Sequence, residues 1–522
     1  MKSRSASLPL ARNIALNVGA RGVLLVLSIA ITPVLVRRLG TDQYGIYALA
    51  TGLGAGLTNI LALGLIPGIV AMLSRALAEE SVHETQKIVG TSFTLFAVIG
   101  MVGGTALALL VPVLVNEVLR IPTDLREIAR IALWLSAAGL GLNLVFAVFN
   151  AIPYALQRYD VIAGRLVGLS LVSTAATVVY VLLEASLTGV MVIQVVSGLA
   201  GIILYYLVSR RELEGIRLRP GFDRGTFRRL ASFTAFKSLG DTALIFEGRF
   251  DQLAIGSVLS IGAVGIYAVP ANACQRILQL LGEVAAPMYP RMSAAGNEAA
   301  RRAVLVTGSR LVALTAAPLA AVLMVLAEPI LRIWIGGDQG LLVAREAGGA
   351  FRLLAGAMFL QAVVVVAGLY CESLQRPVIN NSFTVLGALV LVPAVLLAIP
   401  RYGIAGAAGA VLLMSFVQSV PLFFVVAGRV ARVGLGRFLG EALARPTVSA
   451  LLAGGVGFAL RGLATGLLGL LVVGVAMAIV YLVAAALTGA IRAGDLAEAQ
   501  KVLPARWGRL LATSRLERLL RN

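Results

Sequence analysis

The stretch Leu39–Ala50, LGTDQYGIYALA, contains the tetrapeptide Gly45-Ile46-Tyr47-Ala48, and the same four residues return as Gly265-Ile266-Tyr267-Ala268, 220 positions further on. Leu119-Arg120-Ile121 recurs as Leu331-Arg332-Ile333 at an offset of 212, and Leu156-Gln157-Arg158 recurs as Leu374-Gln375-Arg376 at 218. Pro67 and Met72 match Pro287 and Met292, again at 220. A single tripeptide can recur by chance. Several that keep their order at nearly one offset point to a duplicated unit.

The surrounding composition says what kind of unit it is. Of 522 residues 59% are hydrophobic and only 13% charged, where a soluble chain carries about a quarter charged. A bilayer crossing needs about 20 apolar residues, and by that measure the chain offers fourteen spans. Counting Lys and Arg on alternate sides gives 30 against 9. Positive residues gather in cytoplasmic loops, so both termini are expected inside, and an even number of spans agrees by requiring both on one side. The expected fold is an all-α polytopic membrane protein. Residues 1–11 form a cytoplasmic N-terminus, 12–209 one six-helix bundle, 210–228 a basic cytoplasmic linker and 229–428 a second bundle. A further helix pair is expected over 443–490 and a cytoplasmic amphipathic tail over 491–522. Both GIYA copies open the second span of their bundle, both LRI copies lie in outer loops and both LQR copies in inner turns. Six is even, so the bundles run parallel, around a central cleft.

Several function classes fall away. The net charge of +19 is broken up between apolar spans, which fits topology better than nucleic-acid binding. The two cysteines, Cys274 and Cys371, fall in apolar segments, and the one histidine, His83, in a polar loop. Neither a disulfide framework, a metal site nor a cofactor is expected. Outer loops of about a dozen residues at most disfavour a polysaccharide polymerase or ligase with a large catalytic loop.

Polar residues at membrane depth are costly and mark cavities or partners. Asn272, Arg276, Gln279 and Glu283 are spaced 4, 3 and 4 apart, which puts them on one helix face. Arg276 lies about 18 Å from the outer end of its span at 1.5 Å per residue. A planar guanidinium there suits a diphosphate. Asn17 and Arg21 share a face of the first span, and at an offset of 220 they correspond to Lys237 and Asp241. Arg21, Arg276, Asn17, Asn272, Gln279 and Lys237 are the candidate cavity residues. Asp241, Glu283, Glu247 and Asp251 are candidates for ion coupling or simple ion pairing, the last two also reading as a charged helix end. Arg310 and Arg352 sit near span ends and can snorkel to the interface.

The run Asn13, Arg21, Pro33, Arg37-Arg38-Leu39-Gly40, Tyr44-Gly45-Ile46-Tyr47 resembles the opening of polysaccharide-type flippases, and Asp251, Gly256 and Gly265-Ile266-Tyr267-Ala268 resemble their seventh and eighth spans. That family shares a superfamily with multidrug and toxin extrusion exporters and the peptidoglycan-precursor flippase. The resemblance spans roughly 12–430. It implies a transporter, not an enzyme, that moves an undecaprenyl-diphosphate-linked oligosaccharide from the inner to the outer leaflet of a bacterial cytoplasmic membrane. Expected partners are that substrate, membrane lipids and glycan polymerase or assembly proteins. A drug or cation exporter of the same superfamily is the rival, and an inactive assembly scaffold is a third possibility. Spans between 13 and 208 carry Arg21 and almost no acid, which favours an anionic substrate.

Overall fold

The computed structural model describes residues 10–62, 65–213, 219–235 and 250–491. The described residues form helices and no strand. A helix satisfies its own backbone hydrogen bonds, which a bilayer cannot do for it. Among the described residues ten helices are long and apolar enough to cross a membrane, so the chain is a multi-pass membrane protein. Two of them are each a pair of helices joined at a non-helical glycine, Gly40 (φ 76°) in Leu10–Ala62 and Gly403 (φ 57°) in Pro377–Val425. Both breaks fall where the sequence places a loop between spans. The helix Ile261–Ala285 has 25 residues but is interrupted in character by Pro270, Asn272 and Arg276, and it lies outside the ten.

By contacts the chain forms two compact units, one from residues 1–269 with 395–404 and one from 270–394 with 405–522. In the first unit Phe96, Leu140, Leu144 and Val148 centre one buried cluster. Phe149, Ile152 and Tyr205 centre another. The two GIYA copies meet in this unit. A Cβ on Gly45 would lie 3.0 Å from the Gly265 nitrogen and closer still to the Ile261 carbonyl oxygen. A Cβ on Gly265 would lie 3.0 Å from the Gly45 nitrogen and closer still to the Thr41 carbonyl oxygen. Thr41 and Ile261 are themselves 220 residues apart, so the contact is reciprocal. Without side chains the two backbones approach as small residues allow in membrane helices.

The two LQR copies form the same turn. Gln157 (φ 55°) and Gln375 (φ 57°) are both left-handed. Arg158 N donates to Pro153 O and Gln157 N to Tyr154 O, as Arg376 N donates to Cys371 O and Gln375 N to Glu372 O. This is a helix ending closed by a left-handed residue. The LRI copies differ from each other. The first follows a helix end, with Arg120 at φ 45°, whereas the second is the last part of the short helix Ala327–Ile335.

The segment 219–223 docks on the helix Val82–Val113. Asp223 N donates to Thr91 Oγ1 (3.0 Å) and Gly221 N to Thr94 Oγ1 (3.2 Å). A Cβ at Gly90 would lie 2.9 Å from the Arg219 carbonyl oxygen, so this approach needs glycine. The helix Arg224–Ala235 follows, with the Asp223 carboxylate accepting from Thr226 N (2.7 Å) and Thr226 Oγ1 (2.8 Å). Those two bonds hold the Asp223 pKa below the usual carboxylate value.

The second unit centres on Met292, Leu305, Val366, Tyr370 and Leu422. The helices Arg445–Leu460 and Leu467–Leu487 pack with Glu298–Val325 through Ala317, Ala453 and Met477, and Tyr481 Oη donates to Leu314 O at 2.8 Å. The expected amphipathic tail lies outside the described residues.

Candidate functional site

The sequence-selected polar face lies on the helix Ile261–Ala285. The opposite face is apolar and buried, through Ala271, Cys274, Leu281 and Ala285. This burial leaves Arg276 and Gln279 exposed and Asn272 and Glu283 half-buried. Arg276 Nη1 donates to Gln279 Oε1 at 3.3 Å. That bond is long, and it occupies one of five donors, so most of the guanidinium fork stays available. An arginine of this kind meets phosphate oxygens two at a time.

The other candidates divide. Arg21 is exposed on its helix. Asn17 is helical, but its side chain lies outside the described residues, as do Lys237, Asp241 and Glu247 altogether. Asp251 is not an open charged helix end. It is 7% exposed, accepts from Tyr267 Oη at 2.6 Å, and accepts from Gln252 N at 2.7 Å. Tyr267 belongs to the second GIYA copy. In the first copy Tyr47 Oη accepts from Gln194 Nε2 at 2.9 Å. The two tyrosines thus use one motif position for opposite hydrogen-bond roles, one donating to a carboxylate and one accepting from an amide.

Arg310 does not snorkel: it is 4% exposed in the middle of Glu298–Val325. Arg352 does reach open ground, where it binds Glu328 Oε1 at 2.7 Å with both side chains about half exposed. Sequence reading also passed over two neutral bridges of the second unit, Gln361 Nε2 to Ser415 Oγ (2.8 Å) and Gln418 Nε2 to Thr384 Oγ1 (3.2 Å). Ser415 and Gln418, three apart in an apolar run, were the available signal. Among the described residues no group of three or more His, Cys, Asp or Glu could hold a metal ion.

Comparison with known proteins fixes the class. Residues 34–339, more than half of the chain, match a family model described as polysaccharide biosynthesis protein. The chain belongs to that family. Its fold is that of a solved lipid II flippase, MurJ, in an inward closed conformation, with a TM-score of 0.72 at 13% identity over 91% of this chain and 98% of that one. An inward-facing multidrug resistance MATE transporter of the MOP superfamily aligns at 0.60 and 14% identity, covering 82% of this chain and 96% of that one. The MATE multidrug transporter DinF-BH aligns at 0.59 and 16%, covering 83% and 99%. No curated protein matches the sequence.

Proposed function

We propose that the protein is a flippase for an undecaprenyl-diphosphate-linked oligosaccharide, carrying it from the inner to the outer leaflet by alternating access. The observation that carries this reading is Arg276, exposed on a span-length helix and bonded to a neutral amide. A cation at membrane depth is costly unless it serves an anion. Membership of a polysaccharide biosynthesis family and a lipid-flippase fold supply the rest of the support. On this reading the chain has fourteen spans, as two parallel six-helix repeats around a cleft plus a C-terminal pair, with both termini in the cytoplasm of a bacterial cell. Outward movement of an anion gains about 2.3 kcal/mol per charge per 100 mV of inside-negative potential. The lipid tail stays in the bilayer while the diphosphate and glycan cross past Arg21, Arg276 and their polar neighbours. Asp251 and Glu283 serve as ion pairs or coupling groups, and glycan polymerase or assembly proteins receive the product.

The multidrug relatives of the same fold favour a second reading, a cation exporter. Arg276→Ala separates the two. Inner-leaflet accumulation of lipid-linked glycan in that variant, with normal membrane insertion, is the expected result. Normal glycan export alongside altered efflux of a cationic dye would overturn the flippase reading.

A further inference from the structure

A cavity of about 310 Å³ lies within the first unit, apart from every residue assigned above. Its walls come from three helices near their ends. Val89 and Phe93 lie in the first turns of Val82–Val113, Phe149 in the last turns of Arg126–Ala155, and Ile202 and Tyr206 in the last turns of Leu187–Glu212. The aromatic wall is locked by ring contacts, Phe93 to Phe149 at 5.8 Å and Phe149 to Tyr206 edge-on at 5.5 Å. Arg219 and Pro220, from the docked linker segment, close the cavity.

Three features define what fits. The lining is apolar except at the rim, where Arg219 is exposed. The cavity reaches an exposed apolar stripe of a span-length helix: Ile203 lines it and is also 59% exposed, in register with exposed Val196, Leu199 and Leu207 on the same helix, the kind of surface that a bilayer covers. The same end of the bundle carries exposed Arg210, Arg211, Arg224 and Arg228. An apolar slot opening toward lipid, with cations at its mouth, matches an acyl chain joined to a phosphate. We infer that this cavity is a binding site for an anionic phospholipid, whose chain enters beside Ile203 and whose phosphate meets Arg219. Because Arg219 belongs to the segment held on Thr91 and Thr94, a bound lipid fastens the linker to the bundle. The inference is independent of what the protein transports.

The test is native mass spectrometry of the full-length protein in detergent, with phosphatidylglycerol and phosphatidylcholine as probes. One retained phosphatidylglycerol is expected, bound about tenfold more tightly than phosphatidylcholine: both lipids offer the phosphate, but the choline cation of the second is repelled by the Arg219 guanidinium. Arg219→Ala should abolish that preference and Arg219→Lys should keep most of it. Val89→Trp, which fills the slot, should weaken both lipids. Equal binding of the two lipids by the unaltered protein, or a preference that survives Arg219→Ala, would overturn the site. So would undecaprenyl phosphate displacing phosphatidylglycerol with the same dependence on Arg219, since the slot would then belong to the transported lipid class.

Discussion

Tyr267 donates its hydroxyl to the Asp251 carboxylate over 2.6 Å, with both residues buried. The carboxylate also accepts from Gln252 N, so it is held as a satisfied group inside a helical bundle. Removing a donor from a buried charged acceptor costs about 1–3 kcal/mol. Tyr267→Phe should therefore lower the thermal midpoint in detergent. Combining it with Asp251→Asn should recover part of the loss, because the neutral amide is cheaper to leave short of a donor. Equal midpoints for Tyr267→Phe and the unaltered protein would remove Asp251 from the account.

The reciprocal crossing at Gly45 and Gly265 makes a prediction of sign. Gly→Ala inside a helix ordinarily stabilises by about 1 kcal/mol. At these two positions the added methyl meets backbone carbonyl oxygens, which cannot rotate away. Gly45→Ala and Gly265→Ala should each destabilise, by about 1–3 kcal/mol, and to a similar degree. Gly139→Ala, where nothing lies within 4 Å of an added Cβ, should be neutral or stabilising. Midpoints of the three variants measured side by side decide the matter.

The two left-handed glutamines invite the opposite substitution. A side chain at positive φ carries a cost of about 1 kcal/mol that glycine avoids. Gln157 and Gln375 are exposed at the turn. Gln157→Gly and Gln375→Gly should each raise stability by up to about 1 kcal/mol. A loss at either turn would mean that its glutamine side chain makes a contact of its own.

The Asp223 cap sets a dependence on acid. Its folded pKa lies below the ordinary value because Thr226 bonds the ionised form. Its contribution is thus complete above the unfolded carboxylate pKa of about 4 and is lost as pH falls through the lower folded value. The stability advantage of the native chain over Asp223→Ala should be constant near neutrality and vanish in strong acid. An advantage that grows as pH falls would contradict the assignment.

Much of this was legible from residue order. The span-forming runs, the breaks at Gly40 and Gly403 and the polar face at Asn272, Arg276, Gln279 and Glu283 follow from hydropathy and helical period, which are local properties. The LQR copies are local too: the closure of such a turn is encoded where it forms. Contacts between distant helices are a different matter. The recurrence of GIYA was visible, but nothing in its spacing says that the copies touch. Gln194 and Tyr47 meet across 147 positions, and a lone glutamine in an apolar run does not name its acceptor. Arg310 illustrates the same limit. Its distance from the span end suggested an interfacial head group, whereas the neighbours that bury it come from elsewhere in the chain. The LRI copies diverged locally, one ending a helix and one inside another, because identical tripeptides took different flanking residues.

The Gly45–Gly265 crossing also bears on ancestry. A contact in which residue i meets j and j meets i is what a two-fold dimer makes between identical subunits. On the duplicated reading, a six-span precursor pairing with its own copy would have made this contact between separate chains, and gene fusion then turned it into an internal one. Each glycine is therefore constrained by the other. A larger residue on either side is excluded by the partner's backbone, so the tetrapeptide could stay alike in both halves while Tyr47 and Tyr267 two residues later acquired different partners.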